Sequence, residues 1–166
     1  MRSITPFLWF DDNAEEAANF YVEVFASRSG SADRGPSKVL DIARYGEAGP
    51  GAAGSVMTVS FMLDGQEFMA LNGGPRFSFT EAISFMVDCE SQNEVDELWG
   101  RLLDGGEPLA CGWLKDRYGL SWQIVPTMLM TLINSPDAVK SQRAMRAMMD
   151  MVKLDIAEIQ RAYDGD

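Results

Sequence analysis

Apolar and polar positions follow one another along this chain in an order that occurs twice. Ile4–Phe10 (ITPFLWF) is apolar, aromatic and of strand length. Asp11-Asp12-Asn13 then supplies N-cap residues, with Glu15 three positions after Asp12 in capping-box spacing. Ala14, Ala17, Ala18, Tyr21, Val22 and Phe25 follow at the intervals of one helical stripe. The helix is expected to end before Ser27–Ser37 (SRSGSADRGPS), a turn-rich loop expected to be mobile. Val39–Tyr45 and Val56–Leu63 read as the second and third strands. Gly46–Gly54 (GEAGPGAAG) joins them, a flexible connection with too few side chains to hold it down. Asp64-Gly65 is a two-residue hairpin signal. It returns the chain as a fourth strand over Gln66–Asn72, which Gly73-Gly74-Pro75 stops.

The succession then restarts. Ala82–Val87 (AISFMV) is a strand, Asp88 closes it as Asp11 closes the first, and Ser91 with Glu94 makes a capping box. Val95, Leu98, Trp99 and Leu102 repeat the helical stripe. Residue 88 minus residue 11 gives an offset of 77, longer than solenoid periods and near the length of half a domain. Beyond Gly105-Gly106, strands are expected near Glu107–Ala110, Gly112–Lys115 and Leu120–Val125. Each half is therefore strand, helix and three strands. The tail breaks the pattern. Ser135-Pro136 reads as an N-cap followed by Pro at the first helical position. Met145, Met148, Met149 and Val152 form that helix's stripe, and Asp155 with Glu158 opens a last helix carrying Ile156, Ile159 and Tyr163. Methionines so placed suit adaptable contact with the sheet or a second subunit, or a pocket lid.

Ala110–Pro126 (ACGWLKDRYGLSWQIVP) is the densest stretch in chemistry. With period two, Ser121, Gln123 and Val125 share one strand face, and Leu120, Trp122 and Ile124 the other. Gln123 must then find hydrogen-bond partners or a ligand, because an unpaired buried amide costs about 1–3 kcal/mol.

Composition narrows the function classes. At 166 residues and 46% apolar content the chain fits one globular domain. Its apolar runs stop well short of the roughly 18 residues needed to cross a bilayer, and with no charged-then-apolar leader pattern before Ile4 a secreted fate is not expected. Cys89 and Cys111 lie far apart without metal-site spacing and read as reduced thiols. A net charge of −11 offers no basic stripe for nucleic acid or an anionic membrane; Lys140, Arg143 and Arg146 share their helix with acidic residues. A cytoplasmic protein with neither nucleic-acid nor membrane partner is expected. The chain has no histidine, which removes the commonest neutral-pH base and transition-metal ligand.

Four segments carry a resemblance: Ile4–Tyr21 (ITPFLWFDDNAEEAANFY), Ala70–Pro75 (ALNGGP), Phe79–Glu90 (FTEAISFMVDCE) and Cys111–Pro126 (CGWLKDRYGLSWQIVP). With the Leu154–Tyr163 tail (LDIAEIQRAY), they resemble the PhnB-like branch of the glyoxalase/bleomycin-resistance/dihydroxybiphenyl-dioxygenase superfamily, also called vicinal oxygen chelate. That branch is often labelled demethylubiquinone methyltransferase-like. The resemblance implies one glyoxalase-like α+β domain of two βαβββ modules, residues 1–76 and 77–126, forming a curved mixed sheet of eight strands with an open concave face. C-terminal helices over 127–166 complete it, and a homodimer is implied. The superfamily's enzymes hold a divalent metal with residues from the first and last strands of each half. Here Thr5 and Ala82 stand at the two first-strand positions, Gln123 at a last-strand position, and the remaining one falls near Met69 or Ala70. A hydroxyl, a methyl and a neutral amide fall short of the three or four strong donors such a site needs, so no metal and no cofactor are expected.

Three functions follow. The first is a metal-independent small-molecule binding protein, its ligand lined by Thr5, Phe7, Trp9, Ser84, Met86, Trp113 and Gln123. The second is a lyase, isomerase or oxygenase acting on a small organic substrate, with Gln123, Cys111 or Asp116 polarising it. The third is the methyltransferase of the family label, which would need a glycine-rich turn between strand and helix; neither GEAGPGAAG nor ALNGGP has that setting. Each residue also has a structural reading: Cys111 as a small buried hydrophobe, Asp116 as a turn residue bonding its own backbone ahead of a positive-φ Gly119, and Trp9, Trp113, Trp122, Phe7 and Phe85 as core. Lys115 or Arg117 could instead meet an anionic substrate group. Asn72 with Gly73-Gly74 either offers backbone donors to a ligand or ends a strand.

Overall fold

The structure is a computed structural model that describes residues 4–28 and 34–165. The middle of the loop expected to be mobile, residues 29–33, lies outside the described residues. Contacts separate the chain into two compact units, Met1–Phe79 and Thr80–Asp166.

The first unit runs β1 (Phe7–Phe10), α1 (Ala14–Ala26), β2 (Lys38–Arg44), β3 (Val56–Leu63) and β4 (Gln66–Asn72). Its sheet has the order β1-β4-β3-β2, with β1 parallel to β4 and the other pairs antiparallel. The second unit repeats it: β5 (Ser84–Cys89), α2 (Gln92–Leu102), β6 (Glu107–Pro108), β7 (Trp113–Lys115) and β8 (Ser121–Pro126), ordered β5-β8-β7-β6. The first residues of β1 and β5, Phe7 and Ser84, stand at the offset read from the sequence. The eight strands are thus divided between two hydrogen-bonded sheets of four.

In each unit the helix covers one sheet face. Ala14, Ala17, Ala18, Tyr21 and Phe25 are buried as the stripe requires, together with Val24 in place of Val22. Leu8, Phe10, Val59, Phe61, Phe68 and Ala70 of the sheet are also buried, and the Tyr21 ring stacks on Phe61. In the second unit Val95, Leu98, Trp99 and Leu102 cover Val87, Cys89, Leu114, Trp122 and Ile124. The opposite sheet faces stay more open.

Local chemistry explains most boundaries. Asp64 and Gly65 both take positive φ, 46° and 81°, the geometry a tight hairpin between paired Leu63 and Gln66 demands. Ser91 caps α2, accepting from Glu94 N at 3.3 Å, while Glu94 reaches back to Glu90 N at 2.7 Å. The matching box on α1 does not form. Asn13 is the N-cap without a side-chain bond, and the backbone N–H of Ala14 donates instead to Asn72 Oδ1 at 2.8 Å. β4 caps α1 from across the module.

Three expected elements differ. β5 begins at Ser84 rather than Ala82, so Ala82 lies in an exposed turn and Asp88 lies within the strand. The glycine-rich 46–54 connection is held in place: Gly54 N donates to Tyr45 O and Tyr45 N to Ser55 O, and the Tyr45 ring fills the space beside Gly49 and Gly51. A Cβ on Gly51 would lie 2.3 Å from that ring, so its missing side chain is what lets the loop close. In the tail, Asp137 rather than Ser135 caps the helix, accepting from Val139 N and Lys140 N.

The tail forms α3 (Thr127–Ile133), α4 (Ala138–Met149) and α5 (Ile156–Asp164). Leu129, Leu132, Ala144, Leu154 and Ile159 make a core with Val125 of β8, so these helices pack on the second module. Met148 joins that cluster, whereas Met145 and Met149 are exposed. Among the described residues no helix is long and apolar enough to cross a membrane.

Candidate functional site

β8 places Gln123 at the centre of the second sheet's open face. Its direct cross-strand neighbours are Met86 on β5 and Trp113 on β7, so the three side chains stand in one row. The next row is Ser84, Ser121 and Lys115. Met86 is 54% exposed, while Trp113, Gln123 and Ser84 are half-buried. The two rows are tied together by Gln123 Nε2, which donates to Ser84 Oγ at 2.8 Å. That bond answers the question the amide raised in the sequence, and it leaves Gln123 Oε1 without a protein partner among the described residues. Ser121 Oγ is fully buried and has no hydrogen-bond partner among the described residues.

Lys115 at the end of the second row forms an ion pair with Glu81. The ammonium holds the Glu81 carboxyl below the usual carboxylate range by hydrogen bonding, and Glu81 in turn raises Lys115. Glu81 lies in the exposed 80–83 turn before β5. Arg117 pairs instead with Asp104, through both its carboxylate and its backbone oxygen.

In the first module Thr5 and Trp9 are half-buried and Phe7 is 55% exposed. By register, Phe7 and Trp9 share their sheet face with Met69 and Leu71 of β4. Trp9 is covered locally: Nε1 donates to Gly74 O at 2.9 Å, Phe77 meets the ring edge-on at 5.0 Å, and a Cβ on Gly73 would strike the indole at 2.2 Å. Gly73 and Gly74 therefore serve Trp9. Their own N–H groups donate to Phe10 O and Asp11 O, so they are not donors held open for a ligand.

Asp116 and Cys111 lie in turns. Asp116 is 3% exposed; Oδ1 accepts from Tyr118 N and Leu120 N at 2.8 and 3.0 Å, and Oδ2 from Trp122 Nε1 at 2.9 Å. With Gly119 at φ 83°, this is the turn chemistry the Lys-Asp-Arg-Tyr-Gly sequence allows. It points Asp116 to the helix-covered side, away from Trp113 and Lys115. Cys111 is partly exposed rather than buried, and takes φ 60° in the turn before β7. Its Sγ lies 3.7 Å from Met149 Sδ and 3.9 Å from Met149 O. Neither contact is a base.

The positions at which the resemblance implies metal ligands do not suit a metal. Thr5 offers one hydroxyl, Ala82 offers no donor, and the Gln123 amide is neutral and bonded to Ser84. No three of the described His, Cys, Asp or Glu residues gather as metal ligands would. The glycine-rich segments also lack the setting of a dinucleotide-type turn. The first joins antiparallel β2 and β3, and the second follows β4 into the segment that leads to β5.

Asn72, Gly73 and Gly74 also line a cleft in the first module that strand and helix periodicity do not reveal. The cleft, of about 390 Å³, opens where the end of β1, the start of α1 and the 46–54 loop meet, lined by Asp11, Asp12, Glu15, Tyr45, Gly51 and Asn72 among others. Its walls come from segments distant in sequence, and its acidic residues read there as helix-capping chemistry.

A family model described as 3-demethylubiquinone-9 3-methyltransferase matches residues 2–125. Among solved structures, the PhnB protein from Bacillus cereus is 38% identical, covering 76% of this chain and 100% of its own, with a TM-score of 0.64. A protein from Pseudomonas aeruginosa is 19% identical over 76% of this chain and 98% of its own, with a TM-score of 0.60. The fosfomycin resistance protein FosX from Listeria monocytogenes is 15% identical over 78% and 96%, with a TM-score of 0.50. These last two show the fold alone. No curated protein is a significant match. The doubled βαβββ plan, the family match over most of the chain and the identity to the PhnB protein agree: this chain belongs to the PhnB-like 3-demethylubiquinone-9 3-methyltransferase family.

Proposed function

We propose that this protein binds a small organic molecule without a metal, using the open face of its second sheet. The observation that carries this reading is the row Met86–Gln123–Trp113: a thioether, an amide with a spare acceptor and an indole, side by side and reachable from solvent. Such a mixture of apolar area and a few oriented polar groups is what small-ligand sites are made of. Thr5, Phe7 and Trp9 give the first module an open face of the same character. Binding is favoured over catalysis because two of the three candidates are otherwise occupied: Asp116 by two backbone donors of its turn and the Trp122 indole, and Cys111 by Met149. The reading includes a homodimer, supported by exposed Met130, Val139, Met145 and Met149 on the tail helices. It also includes a cytoplasmic location, where the Cys89 and Cys111 thiols stay reduced.

The test is a ligand-observed NMR screen of small aromatic compounds against chelator-treated protein, repeated with Gln123→Leu. The expected result is a set of binders that survives chelation and is weakened by the substitution. Binding that requires an added divalent cation, or that ignores Gln123, would overturn the reading.

A further inference from the structure

We infer that the ligand is an acid, and that Lys115 receives its oxyanion in the place Glu81 now occupies. This rests on the binding site proposed above and names its ligand class: a small molecule with an apolar or aromatic body and a carboxylate or phosphonate group. Three observations converge. Lys115 and Trp113 are two residues apart on β7, so their side chains leave the same sheet face about 7 Å apart. A flat body beside Trp113 and Met86 therefore puts its acidic end at Lys115.

Ser121 stands between Lys115 and Ser84 in the same cross-strand row. Its hydroxyl is wholly buried and has no partner among the described residues. An orphan hydroxyl in that row is a donor without an acceptor, and a ligand oxyanion on Lys115 supplies one. Gln123 and Ser84 complete the polar lining, already joined at 2.8 Å.

The third observation is what holds Lys115 now. Glu81 comes from the exposed 80–83 turn rather than from the sheet, and its side chain is half exposed. A carboxylate on such a turn is a replaceable occupant: it neutralises Lys115 in the free protein and yields to a ligand carboxylate that also gains the Trp113 surface. Glu81 thus competes with the ligand for one cation.

Benzoate, phenylphosphonate and neutral benzamide are the probes, titrated into the wild-type protein and into Lys115→Met and Glu81→Gln while the amide and Trp113 indole N–H shifts are followed. Both substitutions break the same ion pair, so a purely structural role predicts equal effects. Competition predicts opposite ones: E81Q tightens the acids several-fold, and K115M weakens them about tenfold, the loss of one charge-assisted hydrogen bond. Neither variant changes benzamide. The ratio of benzoate to phenylphosphonate affinity tells which acid the site prefers, and tighter binding of either supports the inference. Benzamide binding as tightly as the acids, with K115M silent, would overturn it and leave the small-molecule reading standing. Failure of every probe at millimolar concentration would overturn both.

Discussion

The indole N–H of Trp122 donates to Asp116 Oδ2 at 2.9 Å, and the two residues are 2% and 3% exposed. Asp116 Oδ1 at the same time accepts two backbone N–H groups of the turn. One carboxylate therefore fixes the β7–β8 hairpin, and with it the register that sets Gln123 opposite Trp113.

Asp116→Ala leaves two buried donors and the half-buried Tyr118 N–H without their acceptor, a loss of about 3–5 kcal/mol when each unsatisfied group costs about 1–3 kcal/mol and some regain water. Asp116→Asn keeps the shape but turns an N–H₂ toward donors, and is expected to lose somewhat less. Urea unfolding reads both. A shift under about 0.5 kcal/mol for the alanine variant would mean that the turn closes without its carboxylate.

Asn72 plays the corresponding part in the first module. Oδ1 caps α1 through Ala14 N, Nδ2 donates to Val56 O at 3.2 Å, and its carbonyl accepts from Tyr45 Oη at 2.6 Å. Asn72→Ala removes the two side-chain bonds and is expected to cost about 1–2 kcal/mol, as other lost helix caps do. Asp12→Ala, which removes the cap expected from sequence spacing, is expected to change stability by no more than about 0.5 kcal/mol. Equal effects from the two variants would contradict the assignment of the cap to β4.

These two residues mark where the sequence was legible and where it was not. Periodicity located both helices, the Asp64-Gly65 hairpin and the 77-residue repeat, because each depends on neighbours a few positions away. It also put Ser121 and Gln123 on one face and Trp122 and Ile124 on the other. What it missed depends on distant partners. The α1 cap comes from Asn72, the 46–54 loop is ordered by one tyrosine ring, and β5 starts two residues late because its register is set by β8. The Glu81–Lys115 pair joins positions too far apart for spacing to reveal.

Acid stability follows from two lowered carboxyls. Glu81 is lowered chiefly by its hydrogen bond from Lys115, and Asp96 by Lys153 and then Gln92. A carboxyl lowered in the folded state contributes stability that is present above its unfolded value and lost as pH falls through its folded one. Both groups are largely exposed, so solvent screening keeps the contribution small. Urea midpoints measured from neutral pH down through the carboxylate range should fall less steeply for the Glu81→Gln, Asp96→Asn double variant than for wild type. High salt should narrow the difference between them. Parallel curves would show that neither pair is linked to folding.

Ser121 distinguishes a fold optimised for stability from one that keeps a group for a ligand. A buried hydroxyl without a partner costs about 1–3 kcal/mol of desolvation, and replacing it with a methyl group removes that cost. Ser121→Ala is therefore expected to leave the protein as stable as wild type, or about 1 kcal/mol more so, which is unusual because most buried substitutions destabilise. The same variant is expected to bind benzoate more weakly, since the oxyanion on Lys115 loses a donor. Stability and affinity then move in opposite directions at a single atom. Loss of more than about 1 kcal/mol of stability in urea would mean that the hydroxyl already has a partner, and the row Lys115–Ser121–Ser84 would be part of the fold and not of the site.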